Sequence, residues 1–272
     1  MSELSQIRNM SIYCDFENVA LGVKEAKYEA FDIKQVLERL LLKGNIVVKK
    51  AYCDWARYKE FKKPMHEAAF ELIEIPHVRQ SGKNSADIRM VVDALDLCYT
   101  KSHVDTFVII SGDSDFSALV SKLRENNKVV IGIGVKNSTS DLLISSCDEF
   151  IFYDDLIRGA TKHATARRKR SAAKKSPRSS AGKVESDKTQ EALDLVMETV
   201  EALFAERGEE EKVWGSMVKQ ALKRQKPGFS ESYHGFRSFS KLLEEAQKRK
   251  LLTLKHDEKS GGYIITSFVH ED

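Results

Sequence analysis

The chain has 272 residues, of which 42% are hydrophobic and 31% are charged, and its formal net charge is +3. This length suits one α/β domain and a smaller module, and no segment approaches the ~20 consecutive apolar residues of a membrane span. The N-terminal sequence has no basic region followed by an apolar core, so we expect no secretory signal and a cytoplasmic location. No cysteine spacing suggests zinc, which is typical of buried thiols in a reducing cytoplasm; the cysteines are Cys14, Cys53, Cys98 and Cys147.

Short β-rich segments alternate with amphipathic helical segments from residue 10 to residue 156. Strands are predicted at residues 11–16, 45–53, 72–78, 106–112, 129–135 and 149–153. Asp32 and Gln35 form a capping-box pattern for a helix that Gly44 ends. A second helix is predicted over residues 86–99, with a face formed by Ile88, Val91, Val92 and Leu95. This alternation predicts an α/β, Rossmann-like fold with a mainly parallel sheet covered on both faces.

Residues 157–188 are predicted to be a flexible basic linker. They are rich in Lys, Arg, Ser and Ala and contain few large apolar residues, so they cannot bury enough surface to fold alone. Basic clusters of this kind hold nucleic acid phosphates without reading sequence, although a solubilising tether is the simpler alternative.

Residues 189–272 are predicted to form a small C-terminal winged-helix domain. Its first helix carries apolar residues at helical spacing and ends at Gly208; they are Leu193, Val196, Val200, Leu203 and Phe204. Two further helices and a β-hairpin around a Gly-Gly turn follow.

Four aspartates are predicted to meet at one edge of the sheet. Asp15 ends the first strand, Asp113 and Asp115 follow the fourth, and Asp87 begins the preceding helix. Ligands of an open parallel sheet bind beyond the carboxyl ends of its strands, so these groups converge if the first and fourth strands are neighbours. Clustered carboxylates without an adjacent lysine or arginine favour a Mg²⁺ or Mn²⁺ site, where the ion lowers the pKa of a bound water and neutralises charge on a phosphate.

Each aspartate also has a structural explanation. The helix dipole favours Asp87 by ~0.3–1 kcal/mol, Asp115 can cap the next helix, and Asp15 can lie at a solvated strand end. Such roles do not explain why all four fall at the same edge. Asp93 lies about 240° around the helix from Asp87, so we expect it to face elsewhere.

Other polar residues are predicted near the same edge. Asn18 can orient a water or phosphate, or simply form a turn, and Ser111 is expected to hydrogen-bond an aspartate. Ser138 and Ser140 are predicted to cap a helix, with phosphate contact as the alternative. The loop cations expected to grip a nucleic acid backbone are Arg79, Lys83 and Lys136.

The segments "IYCDFENV", "KNSADIRMVVDAL" and "FVIISGDSDFSALV" resemble the motifs of the NYN domain, a PIN-like nuclease fold, in its LabA-like group. The resemblance covers about residues 10–156 and implies a PIN/NYN domain over residues 1–156. It also implies ribonuclease activity and a divalent metal bound by Asp15, Asp87, Asp113 and Asp115. Asn18 matches a further motif position and joins the predicted catalytic set.

The segment "VWGSMVKQALKRQKPGFSESYHGFRSFSKLLEEA" resembles the OST-HTH (LOTUS) domain, which implies RNA binding or partner recruitment. The matching residues are Trp214, Pro227, Phe229, Tyr233, Gly235, Phe236 and Phe239. A module this small needs its aromatic residues in its core. RNA contacts are therefore predicted at basic residues: Lys219, Lys223, Arg224, Lys226, Arg237 and Lys241.

Two functions remain open from the sequence. The first is a metal-dependent ribonuclease that leaves a 5′-phosphate and a 3′-hydroxyl; the second is a non-catalytic RNA-binding adaptor with a weak or vestigial acidic site. DNA as substrate is also open. Haloacid-dehalogenase-type phosphatases are disfavoured, because they require a second Asp two residues after Asp15. Toprim-like domains are disfavoured, because they require a Glu at the position of Asp15.

Expected partners are single-stranded or structured RNA and proteins bound by the C-terminal module. A homo-oligomer is open, and a membrane partner is not expected.

Overall fold

The computed structural model of the protein describes residues 8–75, 85–158, 182–208, 211–258 and 260–269. The chain divides into two units between residues 169 and 170. Among the described residues, no helix is both long and apolar enough to cross a membrane.

In the described part of the N-terminal unit, six strands form one parallel sheet in the order β3-β2-β1-β4-β5-β6. The strands are β1 (Arg8–Asp15), β2 (Gly44–Cys53), β3 (Glu71–Glu74), β4 (Thr106–Ile110), β5 (Val129–Gly134) and β6 (Glu149–Phe152). All six match predicted strands with bounds shifted by a few residues. The order reverses between β1 and β4, as in a Rossmann fold, and this reversal opens a crevice at the carboxyl ends of those two strands.

Helices cover both faces of the sheet. They are α1 (Phe16–Glu25), α2 (Ile33–Lys43), α3 (Lys59–Glu67), α4 (Ser85–Thr100), α5 (Ser117–Glu125), α6 (Asp141–Ser146) and α7 (153–158), with 3₁₀ turns at Ser114–Phe116 and Lys136–Ser138. Side chains alternate along β1: Ile12 and Cys14 pack in the core under α1 to α3, and Tyr13 packs in the core under α4 to α6. The chain is therefore the α/β protein that the sequence predicts.

The N-terminus of α2 confirms half of the predicted capping box. Asp32 caps the helix by accepting a hydrogen bond from the Lys34 amide at 3.0 Å. The Asp32 amide, however, donates to the Tyr153 hydroxyl at 2.7 Å rather than to Gln35. A contact 121 residues away along the chain has replaced the local one.

The predicted buried face of α4 is confirmed only in part, because Val91 and Leu95 are partly buried against the core but their two predicted neighbours are not. Met90, Ala94 and Cys98 are buried against the sheet, whereas Ile88 is 63% and Val92 55% exposed. The helix carries apolar residues around most of its circumference, so periodicity alone does not select a face.

The described part of the C-terminal unit contains three helices, a hairpin and one strand that the sequence did not predict. The elements are α8 (Gly182–Arg207), β7 (Val213–Trp214), α9 (Gly215–Gln225), α10 (Phe239–Lys248), β8 (Leu252–His256) and β9 (Tyr263–Phe268). Among the described residues, β7 joins the hairpin in an antiparallel sheet of order β7-β9-β8. Helix α8 begins inside the predicted linker, of which residues 159–181 lie outside the described ranges, so the three-part domain division stays a prediction.

The core of the C-terminal unit follows the predicted apolar pattern. Leu193, Val196, Val200 and Leu203 of α8 are buried. Gly208 follows the helix with a φ of 78°, where glycine is the favoured residue. Of the aromatic residues predicted to fill the core, Phe229 and Phe239 are buried and Trp214 and Phe236 are half-buried.

Candidate functional site

The sheet places Asp15 beside the segment that follows β4. Strands β1 and β4 are paired in parallel with Cys14 opposite Ile110, so Asp15 and Ser111 come next at the same carboxyl edge. The predicted convergence of the aspartates required the first and fourth strands to be neighbours, and this pairing meets that condition. Asp15 is only 8% exposed, so the alternative of a solvated strand end is wrong.

Hydrogen bonds fix the Asp15 carboxylate on both sides. The Ser111 hydroxyl donates to Oδ2 at 3.0 Å, and the Asn18 amide donates to Oδ1 at 3.3 Å, so Asp15 caps α1. The Asp113 amide donates to the Ser111 hydroxyl at 3.2 Å, which extends the chain of bonds to the loop after β4. The predicted bond between Ser111 and an aspartate is confirmed.

Asn18 connects α1 to the same loop. Its Oδ1 accepts a hydrogen bond from the buried Gly112 amide at 2.8 Å. Its Nδ2 has no hydrogen-bond partner among the described residues. The Asn18 Oδ1 therefore holds the loop after β4 in place, and the two N–H groups of its Nδ2 stay available as donors to a ligand.

Asp113 and Asp115 occupy different environments in the 3₁₀ turn. Asp113 is half-buried and caps the turn by accepting from the Asp115 amide at 3.0 Å, whereas the Asp115 side chain is exposed. The capping role that the sequence offered for Asp115 thus belongs to Asp113. The Asp113 Oδ2 has no hydrogen-bond partner in the described part of the chain.

The aspartates share one electrostatic environment. Burial, followed by repulsion from Asp87, raises the pKa of Asp15 to about 7, and the bonds from Ser111 and Asn18 offset only part of this rise. Burial, followed by repulsion from Asp113 and Asp115, raises the pKa of Asp87 to about 6. Within the described ranges, none of the four aspartates is in an ion pair.

The oxygen donors fit a hard divalent cation in chemistry, but they do not form a closed shell. Among the residues that the structure describes, no three His, Cys, Asp or Glu side chains lie close enough to hold one metal ion directly. Mg²⁺ usually binds through one or two carboxylates and keeps several waters, so it does not require such a shell. Elevated pKa values in carboxylates without a cationic partner indicate a place where positive charge would be stabilised.

Asp93 is correctly excluded from this group. It accepts hydrogen bonds from Lys50 at 3.1 Å, Tyr52 at 2.9 Å and Arg89 at 3.1 Å. Although burial raises its pKa, these contacts hold that pKa below the ordinary value. Asp93 therefore belongs to a structural ion-pair network between α4 and β2.

Two residues at the same edge were missed by the sequence analysis. Glu17, the second residue of α1, lies near enough to Asp87 to help raise its pKa. Its Oε1 accepts from Arg57 Nη1 at 3.1 Å, and Arg57 lies in the loop after β2. The position of Glu17, two residues after Asp15, could have indicated its place at this edge from the sequence. Arg57 could not be found in this way, because it reaches the site only through the pairing of β2 with β1.

An open cavity of about 220 Å³ adjoins the aspartates. It is lined by Asp87, Ile88, Val91, Val92, Asp115 and Phe116. The exposed apolar side chains of α4 therefore form one wall of the space that two of the aspartates face.

The segment after β5 lies at the same carboxyl edge. Ser140 caps α6 by accepting from the Leu142 amide at 3.2 Å, as predicted, whereas the Ser138 hydroxyl donates to the Val135 carbonyl at 3.4 Å and caps no helix. Lys136 is exposed, with Nζ 6.0 Å from the Phe152 ring centroid. Arg79 and Lys83 lie outside the described residues.

The predicted RNA-contacting cations of the C-terminal unit differ in accessibility. Lys219 is paired with Glu231 at 2.9 Å and Lys241 with Glu244 at 2.7 Å. Burial lowers the pKa of Arg224, which is half-buried. The exposed members are Lys223, Lys226, Arg237 and Lys241.

The fold and the site together define an α/β protein of Rossmann strand order with carboxylates in the crevice between its two central strands. The NYN domain family matches residues 9–154, and the chain belongs to this family. NYN domains are generally nucleases, so membership indicates a nuclease or RNA-related function.

Two known proteins are similar to part of this chain. "Meiosis regulator and mRNA stability factor 1" of Xenopus tropicalis is 24% identical over 148 residues, which span 54% of this chain and 9% of that protein. The crystal structure of a protein of unknown function from Vibrio parahaemolyticus is 28% identical with a TM-score of 0.50, and the match covers 57% of this chain and 98% of that chain. The OST-HTH resemblance of the C-terminal unit stays a prediction.

Proposed function

We propose that the protein is a metal-dependent ribonuclease that hydrolyses RNA phosphodiester bonds at the carboxyl ends of β1 and β4. The observation that carries this proposal is the mutual repulsion of Asp15, Asp87 and Asp113, which come from three separate segments and have no cationic partner among the described residues. Such a cluster opposes folding, and perturbed carboxylates in a cleft are typical of functional sites.

Asp15, Asp87, Asp113 and Asp115 are the residues that would hold Mg²⁺ or Mn²⁺. Bound there, the ion would lower the pKa of a water and neutralise charge on the phosphate oxygens. Ser111 and Asn18 hold the Asp15 carboxylate in one orientation, so the donor is ordered before any ligand arrives. Because the pKa of Asp15 is about 7, cation binding near neutral pH displaces a proton and weakens on acidification.

RNA is the proposed substrate, and the name of the Xenopus relative, which refers to mRNA stability, supports RNA over DNA. The C-terminal unit is proposed to be an OST-HTH winged helix that binds RNA or recruits a protein partner. Tethered binding of this kind raises the local concentration of substrate at the N-terminal site. Lys223, Lys226 and Arg237 are its candidates for RNA contact, since they are exposed and, unlike Lys241, form no ion pair among the described residues.

The test is cleavage of a generic single-stranded RNA by the full-length protein with Mn²⁺. We expect Asp113→Asn to reduce the rate by roughly 100-fold or more and EDTA to abolish cleavage. Asp96→Asn is the matched control, since Asp96 is an exposed aspartate of α4 that does not belong to the cluster. Activity that persists in EDTA, or that is indifferent to Asp113→Asn, would contradict the proposal.

A non-catalytic RNA-binding adaptor is the second candidate. The observation that favours it is that, among the described residues, no three acidic side chains lie close enough together to hold one metal ion. RNA binding without cleavage, across single-stranded and structured substrates with Mn²⁺ present, would establish this alternative.

A further inference from the structure

We infer that Arg57, held by Glu17, binds the RNA backbone on the β2 side of the aspartates while Lys136 binds it on the β5 side, so that the RNA strand crosses the carboxyl edge of the sheet. This inference rests on the proposed ribonuclease function and adds the path of its substrate. Glu17 is here a positioning residue, and Arg57 is the residue that touches the substrate.

Arg57 lies on an ordered loop. Asp54 accepts hydrogen bonds from the Ala56 amide through its side chain and from the Arg57 amide through its carbonyl, both at 3.0 Å. The next residue, Trp55, is 1% exposed and donates from Nε1 to the Ile73 carbonyl at 3.2 Å. The loop is thus anchored in the core, and the side chain of Arg57 extends from a fixed backbone.

The strand pairing brings this loop to the site. Strand β2 lies directly beside β1, with Tyr52 opposite Asp15, and Arg57 follows five residues after Tyr52. Glu17 lies two residues after Asp15 in α1 and reaches Arg57 with a 3.1 Å ion pair. The Arg57 guanidinium is therefore held against α1, the helix that Asp15 caps.

The ion pair leaves most of the guanidinium available. Only Nη1 bonds to Glu17, and the other N–H groups have no partner in the described ranges; an arginine carries five such donors. The Arg57 side chain is 52% exposed. An exposed ion pair contributes only about 0–1 kcal/mol to stability, so a gain in stability does not account for its position.

An RNA strand that follows this path needs cations beside the aspartates. The aspartates repel an RNA backbone, and a phosphate reaches them only if nearby cations offset that repulsion. Strand order puts Arg57 beside β1 on one flank and Lys136, after β5, on the other. Lys136 Nζ makes no ion pair within the described part of the protein. The flanking strands are three intervals apart, or about 14 Å at ~4.8 Å per interval, a span that covers more than one nucleotide.

The experiment measures KM and kcat of the full-length protein for single-stranded RNA with Mn²⁺ over a range of salt concentrations. We expect Arg57→Ala and Lys136→Ala each to raise KM about tenfold and to reduce the salt dependence by about 0.7 in logarithmic slope. Arg57→Lys should restore part of the loss, because it keeps the charge without the planar fork. Lys63→Ala is the control, since Lys63 is an 87% exposed cation of α3.

Glu17→Gln tests whether Glu17 acts through Arg57. If Glu17 only holds Arg57, this variant raises KM in the wild-type background and does not raise KM further when it is added to Arg57→Ala. A further rise in KM in the double variant would show that Glu17 supports RNA binding by another route and would overturn its assigned role.

Unchanged KM and salt slope in both Arg57→Ala and Lys136→Ala, with a wild-type protein that cleaves RNA, would overturn the inferred path while leaving the ribonuclease intact. If the wild type does not cleave RNA, the proposed function fails, and RNA affinity of the same variants, measured by fluorescence anisotropy, decides the path separately. Wild-type affinity in both variants would then reject it.

Discussion

Asp15 is the residue at which function and stability oppose each other most directly. Its carboxyl group is buried at the end of β1, faces the other aspartates and has a pKa of about 7. The neutral form is therefore favoured in the folded protein compared with the unfolded chain, where the ordinary value is 3.8. The folded protein binds more protons than the unfolded chain between those two pH values, so stability falls as the pH rises through them.

Asp15→Asn should remove most of this pH dependence. A rise in pKa from 3.8 to about 7 corresponds to about 4 kcal/mol, so we expect the variant to be more stable than the wild type at about pH 8 and similar at about pH 4. Urea denaturation at the two pH values measures the difference. Asp96→Asn should keep the wild-type dependence, and an Asp15→Asn protein that loses as much stability as the wild type on alkalinisation would refute this explanation.

The sequence was sufficient to find the residues that end strands but not the residues that meet through strand order. Asp15, Asp113 and Ser111 follow predicted strands directly, so their convergence required only that β1 and β4 be neighbours. Arg57 enters the site because β2 flanks β1, and no local pattern specifies which strand takes that position. The sequence also could not tell which aspartate caps a helix, since Asp113 and Asp115 both precede a helical turn.

At the scale of elements, close packing fixes the segment that carries Lys136. A Cβ on Gly112 would lie 2.3 Å from the backbone carbonyl oxygen of Ser138, closer than real contacts allow. The loop after β4 and the turn after β5 therefore touch through backbone atoms. Only a residue without a side chain permits this approach.

Gly112→Ala should move the Lys136–Ser138 turn away from the aspartates. Overpacking of this kind costs about 1–3 kcal/mol, and we expect lower thermal stability together with reduced RNA cleavage. Gly228→Ala is the matched control, because a Cβ there meets nothing within 4 Å. A Gly112→Ala protein with wild-type stability and activity would show that the two segments are free to separate.

Helix α4 shows why an apolar pattern can predict a helix and still misplace part of its buried face. The helix carries apolar residues on several sides, and the side that faces the sheet is centred on Met90, Ala94 and Cys98. The existence of the helix follows from local periodicity, whereas the choice of face depends on the shape of the sheet surface.

Two truncations on α4 test this orientation. Met90→Ala should destabilise the protein by about 2–5 kcal/mol, because Met90 is fully buried. Val92→Ala should change stability by no more than about 0.5 kcal/mol, because Val92 is 55% exposed. Chemical denaturation of both variants gives the comparison, and equal losses would reverse the assignment.

At the scale of the whole molecule, an acidic cleft and an accessory unit with exposed cations divide the work of the proposed enzyme. The N-terminal unit supplies the carboxylates, and the C-terminal unit carries exposed cations such as Lys223 and Arg237. Its helices and hairpin follow from periodicity and turn residues. The short strand β7 did not, because two residues are too few to show alternation.

Replacing Lys223 and Arg237 together by alanine should raise KM for long RNA and leave kcat unchanged, because these side chains act in binding and not at the scissile bond. Steady-state cleavage of long and short RNA measures the effect, which should be smaller for the short substrate. Lys248→Ala, at an exposed position of α10, serves as the control. A fall in kcat with KM unchanged would contradict this division.

The central claim is that aspartates from distant parts of the chain act as one cation-binding centre, and anomalous diffraction from crystals soaked with Mn²⁺ tests it most directly. The prediction is a manganese peak among the carboxylates of Asp15, Asp87, Asp113 and Asp115, lost in crystals of the Asp113→Asn protein. Side chains that point apart with no peak between them at saturating Mn²⁺ would contradict it.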